Sequence, residues 1–183
     1  VAYEISVRKE AILKDIDDYI IKRYKIAKKK NYENFEYLWK GEAKILFRKL
    51  HGVDMQLQYN KATNLKIAGK KIDGIVIYPG EVFSLWNLVG KTSKRKGYLE
   101  GLTINDSELG KGRGGGLCQL GNLIHYLVLH TDLEVIEKHH HSDALFPDEK
   151  RRVPFGTGTS IAYKKLDYNN FKHDNSSIGN IDG

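Results

Sequence analysis

Residues 110–120 read Gly-Lys-Gly-Arg-Gly-Gly-Gly-Leu-Cys-Gln-Leu, and this run limits the possible folds more than any other stretch. It holds five glycines and the sole cysteine, and it ends where an apolar periodicity begins. Leu117, Leu120, Ile124, Leu127 and Val128 recur at helical spacing, which predicts an amphipathic helix running to about His130. Three successive glycines cannot extend that helix cheaply, so Gly114, Gly115 and Gly116 must form a loop that feeds it. Cys118 then sits in the first helical turn, where unpaired N–H groups and the dipole favour negative charge. A thiol in that position is biased towards the thiolate, the form that attacks carbonyls. The competing reading is a small buried hydrophobe, and on position alone it has the edge.

With 183 residues, 40% of them hydrophobic, the chain is long enough to bury a real core as one globular domain. A net charge of +7 points to an anionic partner: nucleic acid, anionic lipid or an acidic wall polymer. One cysteine excludes an internal disulfide and a thiolate-rich metal cluster. No apolar run approaches a membrane-spanning length, and no signal-peptide pattern is visible. Because the sequence starts at Val1 instead of Met, that absence leaves the compartment open.

From Ala2 to about Lys30 the pattern is helical, with Leu13, Ile16, Ile20, Tyr24 and Ala27 on one face. Its basic end (Lys22, Arg23, Lys25, Lys28, Lys29, Lys30) suits either a solvated helix terminus or an arm lying on an anionic membrane. Residues 1–40 are therefore expected to form a basic helical arm, 41–172 the main domain and 173–183 a mobile tail. Met55-Gln56-Leu57-Gln58-Tyr59 alternates like a strand, and Asn64 to Ile72 reads as a helix ended by Asp73-Gly74. Ile75-Val76-Ile77-Tyr78 is the clearest strand, stopped by Pro79-Gly80. Glu81 to Gly90 holds too many large apolar groups for a free loop, and Lys91 to Lys96 reads as a charged turn. Leu133 to Lys138 predicts a strand, and Ser160–Tyr163 with Leu166–Phe171 a closing hairpin. Helices early and in the middle, with strands between and after, imply an α+β fold. The cysteine helix is expected to pack centrally on a mostly antiparallel sheet.

The loop at Gly112 to Gly116 lacks the Gly-Lys-Ser/Thr ending of a P-loop and the spacing of a dinucleotide fingerprint. One Arg-Gly-Gly is no RNA-binding repeat. Consecutive N–H groups leading into a helix instead suit an anion nest or oxyanion hole around Gly115, Gly116 and Leu117, or simply a tight turn. If strand alternation continues past Lys138, His139 and His141 share a face with Leu133 and Val135, while His140 points the other way. Sequential elements tend to be spatial neighbours, which brings that face towards the cysteine helix. One histidine there suffices as a base for Cys118. His139 and His141 as metal ligands would need a third from His125, His130, Cys118 or a carboxylate, and no recognised zinc spacing supports them. His125 and His130 read as surface or core-edge residues. Trp86, Tyr98 and Arg113 are candidates for a groove beside the glycines, although a lone Trp86 is more often core.

Gly-Gly-Gly-Leu-Cys-Gln (114–119), Glu-Lys-His-His-His-Ser (137–142) and Tyr-Pro-Gly-Glu-Val-Phe-Ser (78–84) resemble the VanW family, first met in a glycopeptide-resistance cluster. The resemblance extends over about Lys49 to Phe171 and includes residues 54–61 and Lys96-Gly97-Tyr98. It implies either L,D-transpeptidase-like acyl transfer on peptidoglycan stem peptides or a non-catalytic accessory role. Under the first, the motif cysteine is Cys118 and the histidine of the His-Ser pair is His141, with His139 at a variable place. Many relatives carry an aspartate shortly before the final strands, where this chain has Gly158 or a neighbour. Asp148 and Asp143 are the available substitutes to orient the histidine. Gln119 and Arg113 are candidates for substrate contact. No cofactor or resident metal is expected. Peptidoglycan or its precursors are the expected partners, with no nucleic acid and with an anionic membrane surface open to the basic arm.

Overall fold

The computed structural model describes residues 24–33, 35, 37–47, 52–105, 108–139, 159–162 and 166–172. Its main sheet has four strands: β1 (Lys25–Ile26), β2 (Glu81–Ser84), β5 (Glu134–Glu137) and β6 (Asn169–Phe171), in the order β1-β2-β6-β5. β1 runs parallel to β2, and the other two pairings are antiparallel. β3 (Glu100–Asn105) and β4 (Glu108–Arg113) form a separate antiparallel hairpin. The helices are α1 (Met55–Ile72), α2 (Leu85–Val89) and α3 (Cys118–Val128). This is the expected α+β arrangement, with the cysteine at the head of α3.

α1 starts where Asp54 caps it, its carboxylate accepting from the Gln56 N–H over 2.8 Å. Leu57, Lys61, Asn64 and Ala68 then fall on its buried face at intervals of three and four. The alternation at 55–59 is therefore the first turn of this helix and not a strand. Five residues are too few to separate the two periods, and the aspartate cap settles the matter locally. The expected end at Ile72 is correct.

Two further expectations are corrected by edge pairing. The basic helix does not reach Lys30, because Lys25–Ile26 is a strand and the Ala27 N–H donates to the Val82 carbonyl at 2.9 Å. Glu81, buried in β2, takes the Lys25 ammonium at 2.8 Å and fastens that strand. Residues 1–23, which carry the rest of the predicted helix, lie outside the described residues. Ile75 to Tyr78 forms no ladder strand: Ile75 makes a single bridge to Lys30, and the Val76 N–H reaches the Lys29 carbonyl at 3.0 Å. The ladder begins after the turn, at Glu81, where all four residues of β2 are buried. The charged stretch after α2 contains a short 3-10 turn over Lys94–Lys96.

The core gathers Ala68 from α1, Phe83 from β2, Leu85 and Val89 from α2, Tyr98, Leu117, Val128, Ile161 and Tyr168. Each fully buried large aliphatic of this set contributes about 1.5–3 kcal/mol. Leu117 is 5% exposed, so the residue between the glycine turn and Cys118 is anchored in the core. The predicted closing hairpin reduces to a bridge between Ala162 and Leu166, after which β6 enters the sheet between β2 and β5. Among the described residues no helix is long and apolar enough to cross a membrane.

Candidate functional site

Gly114 to Leu117 form a turn between β4 and α3, while Gly110 and Gly112 belong to β4 itself. The loop is thus shorter than the glycine run suggests. Its geometry explains the glycines at 115 and 116. A Cβ at Gly115 would lie 2.3 Å from the Gly101 carbonyl carbon, and one at Gly116 would lie 2.2 Å from Cγ of Lys61. Gly116 also has φ of 94°, in the left-handed region. The turn is pressed between β3 and α1 so closely that only hydrogen fits.

Asn64, completely buried in α1, locks this turn. Its Nδ2 donates to the carbonyls of Leu99 and Gly115, each at 3.0 Å, and its Oδ1 accepts from the Leu99 N–H at 2.8 Å. Sequence reasoning read Asn64 only as a helix start. A polar residue at the spacing of the buried face (57, 61, 64, 68) was the available signal.

Cys118 follows as the first residue of α3. Its thiol donates to the Ile161 carbonyl with Sγ 3.6 Å from the oxygen. Burial pushes the thiol above its ordinary pKa, partly offset by main-chain hydrogen bonding at Ile161 and at Cys118 itself. That direction is opposite to the thiolate bias expected from the helix start and favours the neutral thiol. Segment 159–161 crosses α3 closely. The Thr159 N–H donates to Asn122 Oδ1, and Gly121 leaves room for the Ile161 and Thr159 methyl groups.

The other candidates are placed as follows. His139 lies just past β5, its carbonyl accepting from the Ser160 N–H at 2.6 Å and its Nε2 lying 2.9 Å from Glu137 Oε1. This joins the histidine segment to the strip that carries Ile161, although the described hydrogen bonds of the His139 ring include none to Cys118. His141, Asp148, Asp143 and Gly158 lie outside the described residues. Gln119 turns away from the turn and donates to the Ile45 carbonyl at 3.1 Å, bracing residues 39–47. Arg113 donates to the Tyr98 carbonyl at 3.0 Å and so clasps the hairpin to Tyr98. Trp86 packs on the core and donates its indole N–H to the Leu166 carbonyl at 2.9 Å, so it braces the bridge that precedes β6. His125, expected at the surface or core edge, is buried, with Nδ1 3.0 Å from the Tyr168 hydroxyl. It stands seven residues after Cys118, two helical turns along the same side, and that spacing was the missed signal.

Sequence reasoning also missed a polar cluster behind the sheet. The Asp167 carboxylate accepts from Ser84 Oγ at 2.7 Å, the Trp86 N–H at 3.0 Å and the Tyr168 N–H at 2.7 Å. Burial raises its pKa, and the hydrogen bonds from Ser84, Trp86 and Tyr168 pull against that rise. Among the described residues no three His, Cys, Asp or Glu side chains converge as a metal site. An open cleft of about 290 Å³, lined by Phe35, Ile77, Thr131 and Lys172, contains none of the candidate residues.

The fold is thus an α+β domain with one thiol at the start of a helix that follows a glycine turn. Among known proteins, the family model described as VanW like protein matches residues 60–180. The chain belongs to the VanW family. It is 42% identical over 116 residues to the vancomycin B-type resistance protein VanW of Enterococcus faecalis (strain ATCC 700802 / V583), covering 63% of this chain and 42% of that protein. It is 31% identical over 109 residues to the uncharacterized protein YoaR of Bacillus subtilis (strain 168), covering 60% of this chain and 34% of that one. The chain thus spans less than half the length of these relatives. No solved structure matches it.

Proposed function

We propose that this domain carries out cysteine-dependent acyl transfer on peptidoglycan stem peptides, within the antibiotic-resistance setting named for its enterococcal relative. The observation that carries the reading is Cys118 at the head of α3, directly behind a turn where only hydrogen fits at Gly115 and Gly116. A neutral resting thiol requires a base at the moment of attack. In the proposed step the Cys118 Sγ–H proton passes to an imidazole of the histidine run, His141 or His139, as the S–C bond forms. The scissile C–N bond then breaks, and the same proton leaves with the amine. An incoming amine resolves the acyl-enzyme into a cross-link, and water resolves it into a shortened stem. N–H groups of Gly116 to Cys118 would hold the oxyanion, each such donor being worth about 3–4 kcal/mol. Exposed Lys28 and Lys29 at the edge of the sheet suit an anionic wall or membrane surface.

The test compares muropeptides from cells expressing the wild type and Cys118→Ala at equal protein levels. Loss of a cross-linked or trimmed species in the variant is expected, and identical profiles would overturn the assignment.

One observation favours a second reading, a non-catalytic accessory that binds wall precursors. The thiol already donates to a main-chain carbonyl, as a packed structural cysteine does. Under that reading, Cys118→Ala retains both binding of wall precursors and the resistance phenotype.

A further inference from the structure

We propose that Glu137 is the positioning carboxylate of this site, orienting the imidazole of His139 and fixing its tautomer. The inference rests on the acyl-transfer reading for its catalytic consequence but not for its geometry. Glu137 closes β5 just after a register shift that follows Val135, and His139 stands two residues further on. The Glu137 side chain is only 17% exposed. At least three donors converge on its carboxylate. Oε1 lies 2.9 Å from His139 Nε2 and accepts from the Asp167 N–H at 3.0 Å, and Oε2 accepts from Asn169 Nδ2.

A carboxylate offers acceptors alone, so a neutral His139 must carry its proton on Nε2 and present a bare Nδ1. That is the state in which an imidazole can take a proton from a thiol. The neighbouring Asp167 is spent on Ser84, Trp86 and Tyr168, and so does not compete for the ring. The His139 main chain is held in turn by the Ser160 N–H, one residue from the carbonyl that receives the Cys118 thiol. The orienting group is thus built into the strand that carries the histidine. It need not come from an aspartate further along the chain.

Glu137→Gln keeps the shape but leaves one acceptor oxygen for three donors, so the ring should lose its fixed tautomer. Nitrogen-15 NMR of histidine-labelled full chain at alkaline pH, with His139 assigned by its loss in His139→Gln, reads this directly. The wild type is expected to show the Nε2–H form and Glu137→Gln a several-fold gain in the Nδ1–H form. With purified muropeptides as substrate, Glu137→Gln should lower kcat about 10–100-fold with little change in KM, as loss of an orienting partner does, and His139→Gln should lower it about 100-fold or more, as loss of a base does. The double variant should be no worse than His139→Gln alone. An Nδ1–H ring in the wild type, an unchanged tautomer in Glu137→Gln, or full kcat in His139→Gln would overturn the inference. If Cys118→Ala keeps full activity, the acyl-transfer reading falls while the NMR result stands. If Cys118→Ala is inactive and the tautomer is wrong, only the role of Glu137 falls.

Discussion

Asn64 of α1 donates its side-chain amide to the carbonyl of Gly115, 51 residues away, at 3.0 Å. That contact ties a helix that carries no candidate catalytic group to the turn that delivers Cys118. The same amide spans the Leu99 main chain at both its N–H and its carbonyl, so one buried side chain fixes the register of three segments.

Removal of that clamp should cost more than a surface change. Asn64→Ala strands the buried Gly115 carbonyl and removes the partner of the Leu99 N–H, while the Leu99 carbonyl keeps the Gly114 N–H, and one stranded group alone costs about 1–3 kcal/mol. A fall of at least that size is expected in chemical denaturation. Faster alkylation of Cys118 should accompany it, as the turn loosens. A melt within about 0.5 kcal/mol of wild type would show that the clamp is dispensable.

Gly115→Ala should be the more harmful of the two glycine changes, since its Cβ would meet the Gly101 main chain, which cannot swing aside. Gly116→Ala meets the flexible Lys61 stem but forces alanine to φ of 94°. Overpacking of this kind costs about 1–3 kcal/mol. Thermal melts of the two variants give the comparison, and equal stability to wild type at Gly115→Ala would contradict the close approach.

Cys118 should label slowly. Because burial raises its pKa, the thiolate fraction at neutral pH lies below that of a free thiol, whose pKa is about 8.5. The iodoacetamide rate should therefore still be climbing above that pH. A rate that has levelled off by pH 7 would mean an activated resting thiolate.

Asp167 sets a pH dependence whose sign is opposite to that of a salt-bridged acid. Its folded pKa is raised by burial, so the native state binds the proton more tightly than the unfolded chain does. Its contribution to stability is therefore present in acid and is lost as pH rises from the ordinary carboxylate range through the raised value. Asp167→Asn loses the hydrogen bond from Ser84, about 1 kcal/mol, and also removes this titration. Its deficit relative to wild type should be largest in acid and shrink towards neutral pH. A deficit that grows with pH would contradict the direction of the shift.

Sequence alone determined the parts governed by neighbours along the chain. The glycine triplet, the helix that starts at Cys118 and the strand before the histidines follow from backbone freedom and periodicity over a few residues. Local rules also misled at 55–59, where a short alternation hid a capped helix, and at 24–30, where helical spacing gave way to pairing with β2. Only the tertiary structure decided the chemistry. Burial pushes the Cys118 thiol up while the Ile161 carbonyl, 43 residues on, pulls against that rise, Glu137 meets Asp167 and Asn169 across the sheet, and Arg113, Gln119 and Trp86 each donate to a main-chain carbonyl. Charge state and orientation depend on which distant groups exclude water and which donors converge, and spacing along the chain encodes neither.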